Sequence, residues 1–266
     1  MKNLVKRIVR KVRKLIFPPD EASIRKRKAR RKGLFLCLQR EPYVYKIENI
    51  RSKFYLPYYR TDYIQQKIIT ENNYYEAGDL NYISKEWRNG IIGRSIKSGL
   101  ILDVGANIGN HTLFFCNECE AEFVHCFEPI ASTRKVLEKN IAINHLSQRV
   151  SIHPVAVGAA SGRARISYYD KNNIGSTALT PEASGEILIT SIDDLAFDKG
   201  IKLIKIDVEG FELEVIKGCM QTIRSNHPFI MIEIRDEFMA EIQTLLEPLS
   251  YKFERLSGIN YLLYES

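Results

Sequence analysis

The sequence has no apolar run approaching the ~18 residues that would cross a bilayer. Lys and Arg interrupt its first sixteen residues, so the apolar core of a secretory leader, roughly 7–15 residues, is also missing. Both absences point to a cytoplasmic chain. The five cysteines (Cys37, Cys116, Cys119, Cys126 and Cys219) are too few and odd in number for a disulfide scaffold, and fit reduced thiols. No internal repeat is visible. Tryptophan occurs once, at Trp87, in an apolar helical context that reads as a core anchor. What remains is ordinary: 266 residues, 45% apolar and 27% charged, enough for one globular domain with an appendage.

Acidic residues are nearly absent from residues 1–33, which hold 14 Lys/Arg against Asp20 and Glu21, a net of +12. The other 233 residues hold 25 Lys/Arg against 30 Asp/Glu, a net of −5. The overall +7 therefore describes a mildly acidic domain with a basic arm. In the arm, Leu4, Val5, Ile8, Val9, Val12, Leu15 and Ile16 follow helical spacing, cations fill the other face, and Pro18-Pro19 ends the pattern. Seven basic residues crowd Arg25–Lys32. Such an arm either packs on its own domain, lies on an anionic membrane as a peripheral contact at the inner face, or meets nucleic acid or an acidic partner.

Residues 34–97 hold nine of the 14 tyrosines and lack a clean period; short strands followed by a helix near Asn81–Ile96 are expected. From residue 100 a regular alternation begins. Strands are predicted at Leu100–Val104, Glu122–Phe127, Val150–Val157, Ile201–Asp207 and Phe229–Ile234. Helices are predicted at Ile108–Cys116, Ser132–Asn144, Glu212–Ile223 and Met239–Leu246. Arg163–Tyr169 and Glu186–Thr190 read as strands around a polar loop, Asp170–Ser184. Lys252–Leu256 and Tyr261–Tyr264 form a closing pair. This order predicts an α/β fold, a Rossmann-like sheet that is mostly parallel with an antiparallel C-terminal edge. The expected divisions are an arm 1–33, a Tyr-rich lid subdomain 34–97 and a Rossmann-like domain 98–266.

Two constellations carry chemistry. The first is D-V-G-A-N-I-G, Asp103–Gly109, at a strand-to-helix junction, where a glycine turn lets a ligand approach backbone amides. Glu128 ends the next strand, placed to accept hydrogen bonds from a ribose diol. The dinucleotide fingerprint G-x-G-x-x-G is not met, because Asn107 stands where the middle glycine would be. The turn is similar to that of class I S-adenosylmethionine-dependent methyltransferases. The second is K-I-D-V-E-G-F-E, Lys205–Glu212, with charged groups at the rim of an apolar strand. Such groups need pairing or a ligand, and suit proton removal from a hydroxyl or binding of a divalent ion.

D-V-G-A-N-I-G-N-H-T, F-E-P at Phe127–Pro129, A-V-G at Ala156–Gly158, S-I-D-D-L at Ser191–Leu195 and K-I-D-V-E-G-x-E together resemble the FkbM-type methyltransferases. The resemblance covers about residues 98–235. It implies S-adenosylmethionine as cofactor and methylation of a hydroxyl on a glycan, a glycoconjugate or a related natural product. By that likeness Asp103, Gly105, Asn107, Gly109 and Glu128 hold the cofactor, and Val155 or Ala156 borders the adenine. Asp207 and Glu209 match the acidic pair, with Lys205 beside them and Glu233 facing the same rim as catalytic candidates. Asp207 and Glu209 are also the ligands for a divalent metal, if one is used. Asn173 and Gly175 are expected to cover the substrate.

Other readings are weaker. A zinc site from His111, Cys116, Cys119 and Cys126 has only one Cys-x-x-Cys. His153 and His227, each before proline at an expected strand start, read as structural. An RNA-modifying methyltransferase would commonly carry an Asn/Asp-Pro-Pro-aromatic turn where Asp207–Gly210 stands. A binding protein with a degenerate cofactor site has no reason to keep Asp103, Gly105 and Glu128.

Overall fold

The computed structural model describes residues 43–47, 50–89, 99–170 and 173–265. The basic arm, Cys37, the end of the Asn81–Ile96 helix and the side chain of Trp87 lie outside that description. The chain divides into two units, residues 1–45 and 46–266. Of the first, only 43–45 are described.

Within the larger unit, β1 (Lys53–Tyr55) is followed by helices α1 (Tyr63–Glu71) and α2 (Ala77–Asn89). Asp62 caps α1 by accepting from Gln65 N at 2.9 Å, and Asn72 closes it in the left-handed region. The alternating part runs β2 (Leu100–Val104), α3 (Asn110–Asn117), β3 (Phe123–Phe127), α4 (Ala131–Ile143) and β4 (Val150–His153). Four further strands follow: β5 (Ala156–Val157), β6 (Gly162–Asp170), β7 (Asn173–Pro181) and β8 (Ile187–Thr190). The chain then returns through β9 (Ile201–Ile206), α5 (Glu212–Lys217), α6 (Met220–Asn226), β10 (Phe229–Glu233), α7 (Asp236–Leu246), β11 (Tyr251–Ser257) and β12 (Asn260–Glu265).

The main sheet has the order β11-β12-β10-β9-β2-β3-β4. Its inner strands pair in parallel, while β12 runs antiparallel to both β10 and β11. This is the mostly parallel α/β sheet with an antiparallel C-terminal edge that the alternation predicts. All five residues of β2 are buried, as are five of the six in β9. Strands covered on both faces read as continuous apolar runs for this reason. From β2 the chain builds outward to β3 and β4, then crosses back to β9 on the other side. The order reverses between β2 and β9, and in open α/β sheets ligands bind beyond the strand ends at such a point.

Three segments differ from expectation. Val150–Val157 is not one strand: Pro154 has no N–H to give, so residues 150–153 pair with β3 and residues 156–157 join a second sheet. That sheet, ordered β5-β8-β6-β7, takes up most of the supposed polar loop as β7, antiparallel to β6. The Glu212–Ile223 helix is broken at Gly218, where a Cβ would stand 2.0 Å from the Gly158 carbonyl oxygen, so the chain ends α5 and starts α6. His153 ends a strand, stacked on Phe127 at 4.7 Å, and His227 closes α6 in the left-handed region; neither starts a strand. Among the described residues no helix is long and apolar enough to cross a membrane.

Candidate active site

β2 and β9 lie side by side, with Lys205 opposite Asp103 and Ile206 opposite Val104. Their C-terminal ends carry the two turns that the sequence singles out. Gly105 (φ +76°), Asn107 (+49°) and Gly109 (+88°) all take left-handed backbone, which glycine and asparagine accept most readily. A Cβ on Gly105 would stand 1.8 Å from the Asp207 carbonyl oxygen, so the close approach of the two turns itself requires glycine there. The amides of Gly105 and Ala106 donate to Phe127 O at 3.0 and 3.1 Å, tying the turn to β3.

Glu128 follows β3 and is only 5% exposed. Asn107 N donates to one of its carboxylate oxygens at 2.9 Å and Ile130 N to the other at 2.8 Å. Each oxygen keeps a further lone pair for a ligand. Burial pushes the Glu128 carboxyl up to about 7 although both amides pull the other way.

At the second turn, Lys205 is 3% exposed and lies beneath the surface. Its ammonium donates to Gly105 O at 2.8 Å and stands 3.5 Å from Asp103 Oδ1 and 3.3 Å from Asp207 Oδ2. Burial works against that charge, but the Asp207 and Asp103 carboxylates outweigh it and raise the ammonium's proton affinity. Asp103 is fully buried and also accepts from Thr112 Oγ1 at 2.5 Å. Glu209 sits at φ +56°, and Gly210 at +98°. The buried Glu212 braces this turn, its Oε1 accepting from Gly210 N at 2.9 Å and Val208 N at 3.3 Å. Burial, then the neighbouring Asp207, pushes the Glu209 carboxyl up to about 7, while Arg235, 3.5 Å away, pulls it down.

A cavity of about 970 Å³, counted with its open mouth, spans both turns. Gly105, Asn107, Glu128, Val155 and Ala156 line one end, and Asp207, Glu209 and Glu233 line the rim. Asn173 and Gly175, expected as a cover, lie in its wall on β7. Lys205, Asp103 and Gly109 are not on the wall. Asp103 acts on the turn through Lys205 and Thr112, and Gly109 precedes α3, where a Cβ would meet Leu137 at 2.6 Å. Two buried wall atoms, Thr133 Oγ1 and Asn173 Oδ1, have no hydrogen-bond partner among the described residues and suit a polar ligand.

A family model described as "Methyltransferase FkbM domain" matches residues 103–254. The chain belongs to this family. AglP of Haloferax volcanii, a hexuronic acid methyltransferase, is 30% identical over 142 residues, which is 51% of this chain and 55% of that protein. AmbE of Pseudomonas aeruginosa, an AMB antimetabolite synthetase, is 23% identical over 219 residues, 66% of this chain but 10% of that protein. The chain thus matches a tenth of one relative and about half of the other. The crystal structure of an FkbM methyltransferase from Methylobacillus flagellatus is 19% identical, with a TM-score of 0.49 over 76% of this chain and 55% of that one.

The sequence expects a lid in residues 34–97 without singling out which tyrosines reach the cavity. Tyr63 and Tyr75 line the cavity. The family motif itself fixes Tyr75: Asn110 clamps its backbone, accepting from its N–H at 2.9 Å and donating to its carbonyl at 3.1 Å. The next residue, His111, places Nε2 3.5 Å from Glu76 Oε2, and Asn260 donates to the other Glu76 oxygen at 3.2 Å. The only sequence signal was a pair of polar residues, Asn110 and His111, at the start of an otherwise apolar helix. The cysteines weighed for zinc are elsewhere engaged: Cys126 contacts Thr112 Oγ1 at 3.0 Å, and burial pushes the Cys116 thiol up to about 12. Among the described residues no group of three His, Cys, Asp or Glu is placed to hold a metal ion.

Proposed function

We propose that this chain methylates a hydroxyl oxygen of a glycan or small natural product, with S-adenosylmethionine as cofactor. The observation that carries the reading is the continuity of one cavity from Glu128, held by two backbone amides, to the Asp207–Glu209 rim. When bound, the cofactor supplies a methyl group already activated on a sulfonium sulfur. Glu128 would receive the ribose diol, Gly105 would let it approach the backbone, and Val155 or Ala156 would border the adenine.

At the rim Lys205 fixes Asp207, which orients the acceptor hydroxyl. Glu209, whose carboxyl titrates near neutrality, takes the proton, since a general base works best with a pKa close to the operating pH. The cavity aligns the reactants and limits water. Asp207 and Glu209 are the residues that would hold a divalent ion. Among the described residues the cavity wall carries no lysine, arginine or histidine to pair with phosphate, which disfavours nucleic acid as acceptor.

Calorimetric titration with S-adenosylhomocysteine tests the cofactor, and a mass gain of one methylene in a candidate glycan fraction tests the transfer. Asp207→Asn should leave cofactor affinity near wild type and cut turnover strongly. Turnover that is unchanged in that variant removes Asp207 from the mechanism. Turnover of the wild type should rise with pH through about 7 as Glu209 ionises, and Glu209→Gln should abolish that limb.

A further inference from the structure

Among the described residues that line the cavity there are four carboxylates and no lysine, arginine or histidine. The nearby cations are already engaged. Lys205 is buried against Gly105 O, Asp103 and Asp207, and Arg235 stands at Glu209 without reaching the wall. Glu128 belongs to the cofactor end. Glu233 is different: it is half-buried at the end of β10, lines the cavity, and its carboxylate has no hydrogen bond or salt bridge among the described residues.

Tyr75 lines the same cavity, half-buried, with the Tyr63 ring set edge-on to it at 6.2 Å and 81°. Burial, then Glu76, Tyr63, Asp207 and Glu233, pushes the Tyr75 hydroxyl up, so this ring lies within a field of carboxylates. Lys67 already stands 5.6 Å from the centroid of Tyr63 and is not a lining residue, so of the two tyrosines in the wall it is Tyr75 whose ring faces no cation among the described residues. An aromatic ring beside a partly desolvated carboxylate is the chemistry that receives organic ammonium ions.

We infer that the acceptor carries a protonated amine, as in an amino sugar or amino alcohol, and that its ammonium group is received between Glu233 and the ring of Tyr75. The inference rests on the proposed methyl transfer only in taking this end of the cavity as the acceptor end. An acidic acceptor, of the kind for which the relative AglP is named, would instead meet Asp207, Glu209 and Glu233 together.

The groups that face Glu233 give the binding a signature. Burial, then repulsion from Asp207, Glu76 and Glu209, pushes its carboxyl up to about 8, with Lys205 pulling the other way. His111 pairs with Glu76 below, and both border the same small recess as Glu233. At pH 7 the Glu233 carboxyl therefore holds its proton when no cation is near. An arriving ammonium stabilises the carboxylate, and the proton passes to solvent. A neutral acceptor causes no such release.

The test uses the full chain saturated with S-adenosylhomocysteine at pH 7. The probes are methyl glucosaminide, its N-acetyl counterpart, methyl glucoside and methyl glucuronide, followed by ligand-observed NMR and by calorimetry in two buffers of different protonation enthalpy. The amine probe should bind tighter than its N-acetyl counterpart by roughly tenfold or more. Its binding should release a fraction of one proton. Glu233→Gln should lose both the preference and the release, with its affinity for S-adenosylhomocysteine reporting an intact fold. Absence of an amine preference, a preference that survives Glu233→Gln, or a preference for the glucuronide overturns the inference. Failure to bind S-adenosylhomocysteine overturns the methyl-transfer reading and this inference with it, whereas cofactor binding without an amine preference overturns this one alone.

Discussion

Glu128 links cofactor binding to stability with opposite signs. Its carboxyl is raised from about 4.5 in the unfolded chain to about 7 in the fold, because it is 5% exposed and burial outweighs the two amides that it accepts from. The folded state therefore binds this proton more tightly than the unfolded state does. The resulting stability is fully present below the unfolded value and is lost as pH rises through the folded one. Between pH 5 and 8 linkage gives about 2–3 kcal/mol, or roughly 5–10 °C in melting temperature for a chain of this size. Glutamine at 128 can accept from only one of the two amides, a pH-independent loss of about 1–3 kcal/mol. The readout is thus the slope of stability against pH, followed by circular dichroism, and Glu128→Gln should flatten it by the stated amount. Ribose hydroxyls donate best to the ionised form, whose population rises from roughly a tenth at pH 6 to nine-tenths at pH 8. Wild-type affinity for S-adenosylhomocysteine should therefore rise up to about tenfold over that interval, and the variant should show weak, pH-flat binding. Parallel stability slopes for the two proteins would refute the buried ionisable carboxylate, and a flat wild-type affinity would refute its role toward the ribose.

Gly105→Ala should abolish cofactor binding and lower the melting temperature, because its Cβ would press on the Asp207 carbonyl from a left-handed backbone; Gly78→Ala, with open space around it, is the control and should change neither binding nor fold. Lys205→Met leaves Asp103 buried without its cation and should cost about 3–5 kcal/mol in chemical denaturation. Adding Asp103→Asn should recover part of that loss, and additive effects would disprove the pairing. For the arm, sedimentation with anionic vesicles should weaken as salt rises and drop sharply in Ile8→Glu, which puts charge in the apolar stripe; binding retained after deletion of residues 1–33 would show that the arm is not the anchor.

What could be read from the sequence was what local physics dictates. β2, β9 and β10 were legible because strands buried on both faces must be continuously apolar. Their terminating turns were legible because Gly105, Gly109 and Gly210 stand where left-handed backbone is needed. β7 was missed: Asn173–Pro181 is built of small and polar residues at the edge of its sheet, where no alternation is imposed. The break at Gly218 was missed because the constraint on that residue, the Gly158 carbonyl, lies sixty residues earlier. Asp103 and Glu128 looked alike in sequence, both acids at or just beyond the ends of adjacent strands. Register separates them. Asp103 faces Lys205 across the sheet and is sealed below the turn, whereas Glu128 lies one residue past its strand and reaches the cavity.

The two ends of the cavity are built on different principles. The cofactor end relies on backbone: amides of Asn107 and Ile130 hold Glu128, and Gly105 is dictated by a carbonyl of the neighbouring turn. The acceptor end relies on side chains carried by residues 63–76, ahead of the stretch that the family model matches. That segment is tied down by discrete polar clamps, Asn110 on Tyr75, His111 on Glu76 and Tyr74 on Ser52 and Glu118. Substitutions at Tyr63 or Tyr75 would alter what the cavity receives without moving β2 or β9, because the clamps to Tyr75 bind its backbone and not its ring. On the proposed reading, the half of the site nearest β2 therefore fixes what is donated, and the tyrosine segment, with Glu233, fixes what is accepted.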